Sequence, residues 1–420
     1  MAGGKGTRMN SVSGTLPKGL LKVAGKPVLA HQIECLASQG FRDIIIVTGH
    51  LGDAIQDRLG DGSLLGVRIV YYHEEKPLGT AGALVALKDK LDEDFLLING
   101  DLIFDIDFKR FQAFHHDVKA LATLFTHPNN HPFDSAIVIA GSNAIVTGWL
   151  SASDKRPACK NRVNAGIHII SPLLLADKTQ VAKLDLDTGI IIPALDSRRI
   201  FIYDSPEYVK DMGTPKRYKE VCEDYAAGRV HAKNLSNKQR AVFLDRDGTV
   251  NTYKGLITKA EQITLIEGSA QAIAKINDSG YLAILITNQP VIARGDCTLE
   301  ELEQIHDRLE CLLGKHGAYL DAIFYCPHHP DEGFNGERLE YKIDCDCRKP
   351  KPGMILQAAK DYNIDLSRSY MVGDDVKDVL AGKAAGCAVG YLHSGKPVEE
   401  KVHASEYKDL LEFVNHNIQV

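Results

Sequence analysis

The chain has 420 residues, 44% of them hydrophobic and 25% charged, with a formal net charge of -6. That length suits two domains of ordinary size, and the balance leaves no basic surplus for nucleic acid. The longer apolar runs, such as Ile44 to Val47 and Leu282 to Ile286, are strand-length, so no membrane span is expected.

With no charged-then-apolar leader, the chain is expected to be cytoplasmic and to grip small anionic molecules locally, with self-association left open. The cysteine count of nine is odd. Cys35, Cys159, Cys222, Cys297, Cys311 and Cys387 are scattered through helix-like or strand-like stretches and read as buried thiols in a reducing compartment. Cys326, Cys345 and Cys347 cluster with histidines and need a separate explanation.

In chain order, residues 2–8 read Ala-Gly-Gly-Lys-Gly-Thr-Arg. Such a glycine-dense loop lets backbone N–H groups approach phosphate oxygens with no Cβ in the way, although alone it fits a plain tight turn equally well. Arg8 is followed by Pro17-Lys18, Gly25-Lys26-Pro27 and Gln32-Ile33-Glu34, and two cations beside a glycine loop suit a triphosphate. Short β-branched runs at Asp43 to Thr48, Arg68 to Tyr72 and Asp94 to Asn99 then alternate with amphipathic helical stretches. Asp101 follows the apolar run Phe95 to Ile98, where a carboxylate can hold a metal or cap a turn.

These features come with Pro77-Leu-Gly-Thr-Ala-Gly-Ala83, Leu97-Ile-Asn-Gly-Asp101, Val163-Asn-Ala-Gly166 and Asp211-Met-Gly-Thr-Pro215. On those motifs, residues 2 to about 220 resemble the sugar-1-phosphate nucleotidyltransferases, the pyrophosphorylase family that includes mannose-1-phosphate guanylyltransferases. The resemblance implies that Gly3, Gly4 and Gly6 meet the phosphates of a nucleoside triphosphate, and that Arg8 and Lys18 carry catalysis by balancing its charge. It also implies magnesium on Asp101 and Asp211 and a sugar beside Asn164 and Gly166, though an Asn-Ala-Gly turn is an ordinary turn too. Attack of a sugar phosphate on the α-phosphorus builds charge on bridging oxygens, which is where cations are needed. In that family an apolar strand precedes the glycine loop, whereas this sequence opens at the loop. The expectation is a start downstream of the true one; lacking that strand, the half would bind a sugar phosphate without transferring a nucleotide.

From about Tyr218 to Arg240 a polar helix runs into Lys233-Asn-Leu-Ser-Asn-Lys-Gln-Arg240, which sets the expected domains at 1–230 and 238–420. The runs Ala241 to Leu244, Tyr281 to Thr287, Ala322 to Tyr325 and Tyr370 to Val372 again alternate with helices. The whole pattern predicts the α/β class: two doubly wound, Rossmann-like domains in tandem, with parallel sheets covered on both faces. The first run ends in Asp245-Arg-Asp247-Gly-Thr249, two carboxylates whose crowding is costly unless a cation sits between them. Thr287-Asn288, Lys349 and Gly373-Asp374-Asp375 with Asp378 also close strands or open helices, so they converge on one carboxyl edge. Cys326-Pro-His328 and Cys345-Asp-Cys347 bracket a polar loop, 326–347, and match a closed tetrahedral zinc site, with His329 as the rival imidazole.

The second half, from about 240 to 393, resembles the haloacid-dehalogenase-type phosphatases in all four of their motifs. By that resemblance Asp245 is a nucleophile forming a phosphoaspartate, and Asp247 protonates the leaving oxygen and later deprotonates water. Thr287, Asn288 and Lys349 hold the phosphoryl group and substrate, with Mg2+ on Asp245, Asp374 and the Asp247 carbonyl. Asp375 fits a supporting carboxylate or a helix cap. The zinc loop, Cys347-Arg-Lys-Pro350 and Asn288-Gln-Pro-Val-Ile-Ala-Arg-Gly295 look like heptose-1,7-bisphosphate phosphatases, with histidinol-phosphate phosphatase as the rival. Arg294 and Arg348 are then candidates for a second phosphate, a salt bridge being the alternative for Arg294. Pro290-Val291 and Asp375 depart from that family, where a Ser-Gly pair and a basic residue are expected.

Together these resemblances imply consecutive steps: Mg2+-dependent removal of a 7-phosphate from a heptose bisphosphate, then nucleotidyl transfer, GTP favoured, to the 1-phosphate. A hexose-1-phosphate guanylyltransferase fused to a phosphatase for another phosphomonoester is the alternative.

Overall fold

The computed structural model describes residues 1–3, 9, 14, 16–141, 143–154, 156–393 and 404–419. They form two compact units, one of residues 1–127, 138–150 and 164–234, the other of 128–137, 151–163 and 235–420. No helix among the described residues is long and apolar enough to cross a membrane.

In chain order the first unit holds α1 (Val28–Ser38), β1 (Asp43–Thr48), α2 (Gly52–Leu59), β2 (Arg68–His73), α3 (Gly82–Leu87), β3 (Phe95–Ile98), β4 (Leu102–Phe104) and α4 (Phe108–Asp117). After these come β5 (Ala122–His127), β6 (Ile137–Ala140), β7 (Val146–Leu150), β8 (Val163–Ile170), β9 (Ile200–Asp204), β10 (Val209–Asp211) and α5 (Pro215–Ala226). β1 and β2 pair in parallel, packing Ile46 and Ile69 against Ile33 and Ile55 of the helices. The larger sheet runs β9-β5-β8-β6-β7, with β3 added to β8. It is mixed, and here the expectation of a parallel sheet is corrected: β9 and β5 are parallel, but β3 and β6 both run antiparallel to β8. Antiparallel neighbours need no crossover helix, so the helix-strand alternation gave no sign of them. Met1 and Ala2 run between β1 and β3. Ala2 N donates to Val47 O (2.8 Å), the Met1 amine to Ile98 O (2.7 Å), and Gly100 N to Met1 O (2.8 Å).

The second unit has β11 (Ala241–Leu244), α6 (Ser269–Asp278), β12 (Leu282–Asn288), α7 (Leu299–Gly314), β13 (Ala322–Cys326) and α8 (Gly353–Asp361). It continues with β14 (Tyr370–Gly373), α9 (Val376–Ala385), β15 (Ala388–Leu392), β16 (Ser405–Tyr407) and α10 (Leu410–Asn417). Its sheet runs β13-β12-β11-β14-β15-β16, parallel throughout. Alternation along β11 and β12 sends Val242, Leu244, Ala283 and Leu285 to one core with Ile273 and Leu309. Phe243, Ile284 and Ile286 go to the other core with Met354 and Met371. Burial on both faces is what makes these strands continuous apolar runs. Because β11 lies between β12 and β14, the residues that follow all three strands share one edge. Of the six scattered cysteines, Cys297 and Cys387 are buried and the other four are half-buried, and all nine cysteines are free.

The segment 151–163 packs on α7, where Asn161 N donates to Glu310 Oε2 at 2.5 Å. Glu310 is buried, and burial raises its carboxyl to about 7 against the pull of Lys160, the Asn161 hydrogen bond and Arg162. A carboxyl raised in the folded state contributes stability that is complete below its unfolded value of about 4.5 and lost as pH rises through about 7. Glu310→Gln keeps the acceptor and cannot ionise. It is expected to match the parent near the acid end of that window and to exceed it above the window by on the order of 3 kcal/mol. Urea unfolding at several pH values measures this, and a pH-independent difference would contradict it.

Candidate functional site

In the first unit, Lys18 Nζ donates to Asp101 Oδ2 at 3.0 Å. β4 pairs antiparallel with β10, placing Asp211 opposite Leu102, and Met212 N donates to Asp101 O (3.0 Å), so the two expected magnesium ligands meet at one strand end. Each carboxylate carries a basic partner: Lys18 for Asp101, and for Asp211 the Arg217 guanidinium, whose NH1 donates to both oxygens at 2.7 and 3.0 Å. Gly100 approaches Met1 and Ala2 so closely that an added Cβ would lie 2.9 Å from Met1 O. An added Cβ on Gly3 would lie 2.9 Å from Glu74 Oε2. Asn164 Oδ1 accepts from Gly166 N (3.0 Å), an Asx turn, and Gly166 has φ +71 and bonds through its carbonyl to Asn99 N (3.0 Å). Gly4, Gly6 and Arg8 lie outside the described residues.

In the second unit, Asp245 Oδ1 accepts from Lys349 Nζ at 2.7 Å. The same ammonium donates to Asp378 Oδ1 (2.6 Å) and Ile286 O (2.8 Å), and it is 4% exposed. Carboxylate oxygens of Asp245, Asp374 and Asp378 all lie within 4.8 Å of one another. Burial raises Asp245 and Asp378, Lys349 pulls both down, and the neighbouring carboxylates push both further up. For Lys349 burial lowers the ammonium, but Asp245 and Asp378 outweigh it and hold the proton on. One lysine cannot balance two buried carboxylates and a half-buried one, so the donor set fits a hard divalent cation. Gly248, at φ +89, completes the cradle: an added Cβ would stand 2.2 Å from Asp374 Oδ2.

Asp247 turns elsewhere. Its Oδ2 accepts from Arg246 Nε (3.2 Å), Arg246 NH2 (2.9 Å) and Gln289 Nε2 (3.2 Å), and its Oδ1 from Asn251 Nδ2 (2.9 Å). Thr287 Oγ1 accepts from the same Gln289 amide (2.9 Å). Asn288 clamps the backbone of Lys349 in both directions, Oδ1 from Lys349 N and Nδ2 to Lys349 O, each at 3.0 Å. Asp375 is the cap of α9, in a capping box with Asp378, which closes the choice left by the sequence.

The sulfurs of Cys326, Cys345 and Cys347 lie 3.2–3.5 Å apart, with His328 Nδ1 at 3.3 Å from Cys347 and 3.7 Å from Cys326. A zinc tetrahedron with Zn–S bonds of ~2.3 Å has edges of roughly 3.8 Å, so the four atoms can hold that ion with a small expansion. Hydrogen bonding from Cys326 and Cys345, with His328 adding to it, holds the Cys347 thiol down to about 5 against burial, while Cys326 is raised. His329 uses Nδ1 to accept from Asp331 N (3.2 Å) and stands outside the cluster. Arg348 NH1 donates to His328 O (3.0 Å), and the Arg294 guanidinium lies 4.3 Å from the Phe334 ring centroid.

The nucleotidyl transferase family model matches residues 1–228, more than half of the chain, and a HAD-hydrolase-like model matches 346–415. The D-glycero-beta-D-manno-heptose-1,7-bisphosphate 7-phosphatase of Pasteurella multocida is 47% identical over 163 residues, 39% of this chain and 86% of the relative. The chain belongs to the nucleotidyl transferase family and, in its second half, to that phosphatase family. Among solved structures, the D,D-heptose 1,7-bisphosphate phosphatase of B. bronchiseptica, complexed with magnesium and phosphate, is 32% identical with a TM-score of 0.37, over 42% of this chain and 97% of that one. HddC from Yersinia pseudotuberculosis is 24% identical with a TM-score of 0.46, over 53% and 96%.

Four residues around the candidate site escaped the sequence reading: Arg246, Asn251, Gln289 and His306. Asp378, expected from the sequence at the same edge as Asp374, lies in the cluster with Asp245 and Asp374. Arg246 and Gln289 lie beside assigned residues, but their contacts join segments distant in sequence. Arg217, six residues after Asp211 and bonded to both of its oxygens, was missed in the nucleotidyl transferase-family half.

Gly248→Ala sets a methyl group against Asp374 and forces a strained φ. It is expected to weaken Mg2+ binding by about tenfold or more, equivalent to ~1.4 kcal/mol. Calorimetric titration of the metal-free protein reads this, and unchanged affinity would remove the cradle from the cation site.

Proposed function

We propose that the chain catalyses two consecutive steps toward a nucleotide-activated heptose. Residues 238–420 remove the 7-phosphate of D-glycero-D-manno-heptose 1,7-bisphosphate, and residues 1–230 transfer a nucleotidyl group, from GTP, to the resulting 1-phosphate with release of pyrophosphate. The observation that carries the reading is the buried Asp245–Lys349–Asp378 cluster beside Asp374, in a chain that covers most of the length of a heptose-bisphosphate phosphatase. The attached nucleotidyl transferase half supplies a use for the product. Both steps draw on pools of the cytoplasm, where we place the protein.

In the phosphatase step Asp245 attacks phosphorus, the bond to the sugar oxygen breaks, and that oxygen takes a proton from Asp247. Water then attacks the aspartyl phosphate and gives its proton to Asp247, freeing inorganic phosphate. Lys349 and Thr287 hold the phosphoryl oxygens, and Asn288 fixes Lys349 through its backbone. Asp245, Asp374 and the Asp247 carbonyl would hold Mg2+, with Asp378 beside them; the ion supplies the charge masking that lets a carboxylate approach a phosphate. Arg348 and Arg294 lie beside the 326–347 loop and are assigned to the 1-phosphate. In the transferase step Lys18 and Arg8 balance the triphosphate, the glycines Gly3, Gly4 and Gly6 admit it, and Asn164 and Gly166 meet the sugar. Asp101 and Asp211 would hold Mg2+ there, exchanging their Lys18 and Arg217 partners for the ion and its ligand.

The purified protein with Mg2+ is expected to release phosphate from the heptose bisphosphate, and Asp245→Asn to lower the rate by about 10³-fold or more. Adding GTP and inorganic pyrophosphatase is expected to yield GDP-heptose, identified by mass. No release would sink the substrate assignment. Release without GDP-heptose, while mannose 1-phosphate is converted, would reassign the first half to a hexose.

The 326–347 loop is proposed to carry a structural zinc on Cys326, His328, Cys345 and Cys347. Metal analysis is expected to find about one zinc per chain, consistent with four protein ligands and no open position. Cys347→Ser is expected to lose it and to lower the melting temperature. A metal-free parent of unchanged stability would refute the site.

A further inference from the structure

We propose that Arg246 is the positioning residue of the phosphatase proton donor: it fixes the Asp247 carboxyl for the leaving oxygen, braced from behind by Gln289 and His306. This rests on the reading of Asp247 as that donor. Arg246 is 0% exposed and is the largest fully buried side chain among the described residues. A guanidinium stripped of water is costly unless its donors are used, and a buried ion pair is seldom the cheapest way to fill a core. Here the donors are used on the reaction's own groups. Nε and NH2 both reach Asp247 Oδ2, NH2 also reaches Gln289 Oε1 at 3.0 Å, and NH1 faces His306 Nε2 at 3.4 Å.

The brace is electrically consistent. Burial first, and then the Arg246 and Lys160 charges, hold His306 neutral, so a ring nitrogen can turn its lone pair toward the guanidinium. Gln289 spends its carbonyl on Arg246 and its amide on Asp247 and Thr287, tying the proton donor to the threonine assigned to the phosphoryl group. The two buried cations are therefore divided, Lys349 to Asp245 and Asp378, Arg246 to Asp247. Arg246 exchanges no proton in either half-reaction. It holds the carboxyl in line and balances the charge that appears there when the proton passes to the sugar oxygen.

The test compares two substrates on one preparation of the full chain with Mg2+: heptose 1,7-bisphosphate, whose leaving oxygen needs a proton, and p-nitrophenyl phosphate, whose phenolate does not. For Arg246→Gln, kcat/KM on the sugar bisphosphate is expected to fall by roughly 10²- to 10⁴-fold, the usual contribution of a positioned acid, and on the aryl phosphate by less than about tenfold. Arg246→Lys is expected to recover part of the sugar-phosphate rate. Any unfolded fraction cancels in the ratio. Equal loss on both substrates, or loss on neither, overturns the proposal. Asp247→Asn separates the failures. If it too shows no split between substrates, the reading of Asp247 is wrong. If it shows the split and Arg246→Gln does not, the positioning role alone is wrong.

Discussion

The phosphatase-family unit depends on one imbalance of charge. Asp245, Asp374 and Asp378 are brought together at the ends of β11 and β14 with a single buried ammonium, Lys349, among them. A buried carboxylate is tolerable only when its charge is met, and one lysine meets at most part of three. Much of the surrounding architecture positions that lysine. Its backbone is clamped by Asn288 from the end of β12, and its ammonium donates a third bond to Ile286 O. The parallel register of β12, β11 and β14 is what makes those ends adjacent, so sheet order and site chemistry are one constraint.

The nucleotidyl transferase-family unit solves a related problem with less burial. Its two assigned magnesium carboxylates are paired one to one with Lys18 and Arg217 and remain partly exposed, at side-chain exposures of 30% and 36%. Pairs of that exposure are worth little as stability and exchange partners readily. A site that must admit a large triphosphate and release pyrophosphate is suited by such replaceable pairings. The covalent phosphoaspartate step proposed for the other unit is suited by the more buried, fixed kind.

Much of this was legible in the sequence. The runs read as strands at 43–48, 68–72, 241–244 and 370–372 lie within one residue of the observed β1, β2, β11 and β14: burial on both faces writes β11 and most of β14 as apolar stretches, and β-branched and aromatic residues mark the partly exposed β1 and β2. The Cys/His cluster and the aspartate edge were legible for a different reason: metal-ligating chemistry demands rare residue types at close spacing. The pairings of β8 were not legible, since periodicity reports burial and not direction. Nor were the partners of Asn288, Arg246 and Gln289. Their residue types suit a surface or a turn, and only contacts between distant segments turn them inward. Asp375 shows the limit from the other side, since a cap and a supporting carboxylate ask for the same residue and only backbone geometry decides between them.

Asp245 and Asp247 stand two residues apart after one strand, yet their surroundings oppose each other. Asp245 faces two more carboxylates and a lysine, a setting in which its negative charge is useful only once a cation and a phosphate arrive to share it. Asp247 faces a guanidinium and two amides, all donors, which fix its orientation but leave it apart from the cation cluster. A nucleophile needs charge delivered toward phosphorus, whereas a proton carrier needs a fixed position and a stable charge after transfer. The division of roles proposed for these two chemically identical side chains matches the different neighbours that each is given. Arg246, the residue between them in the chain, is the neighbour that keeps the second aspartate from joining the first.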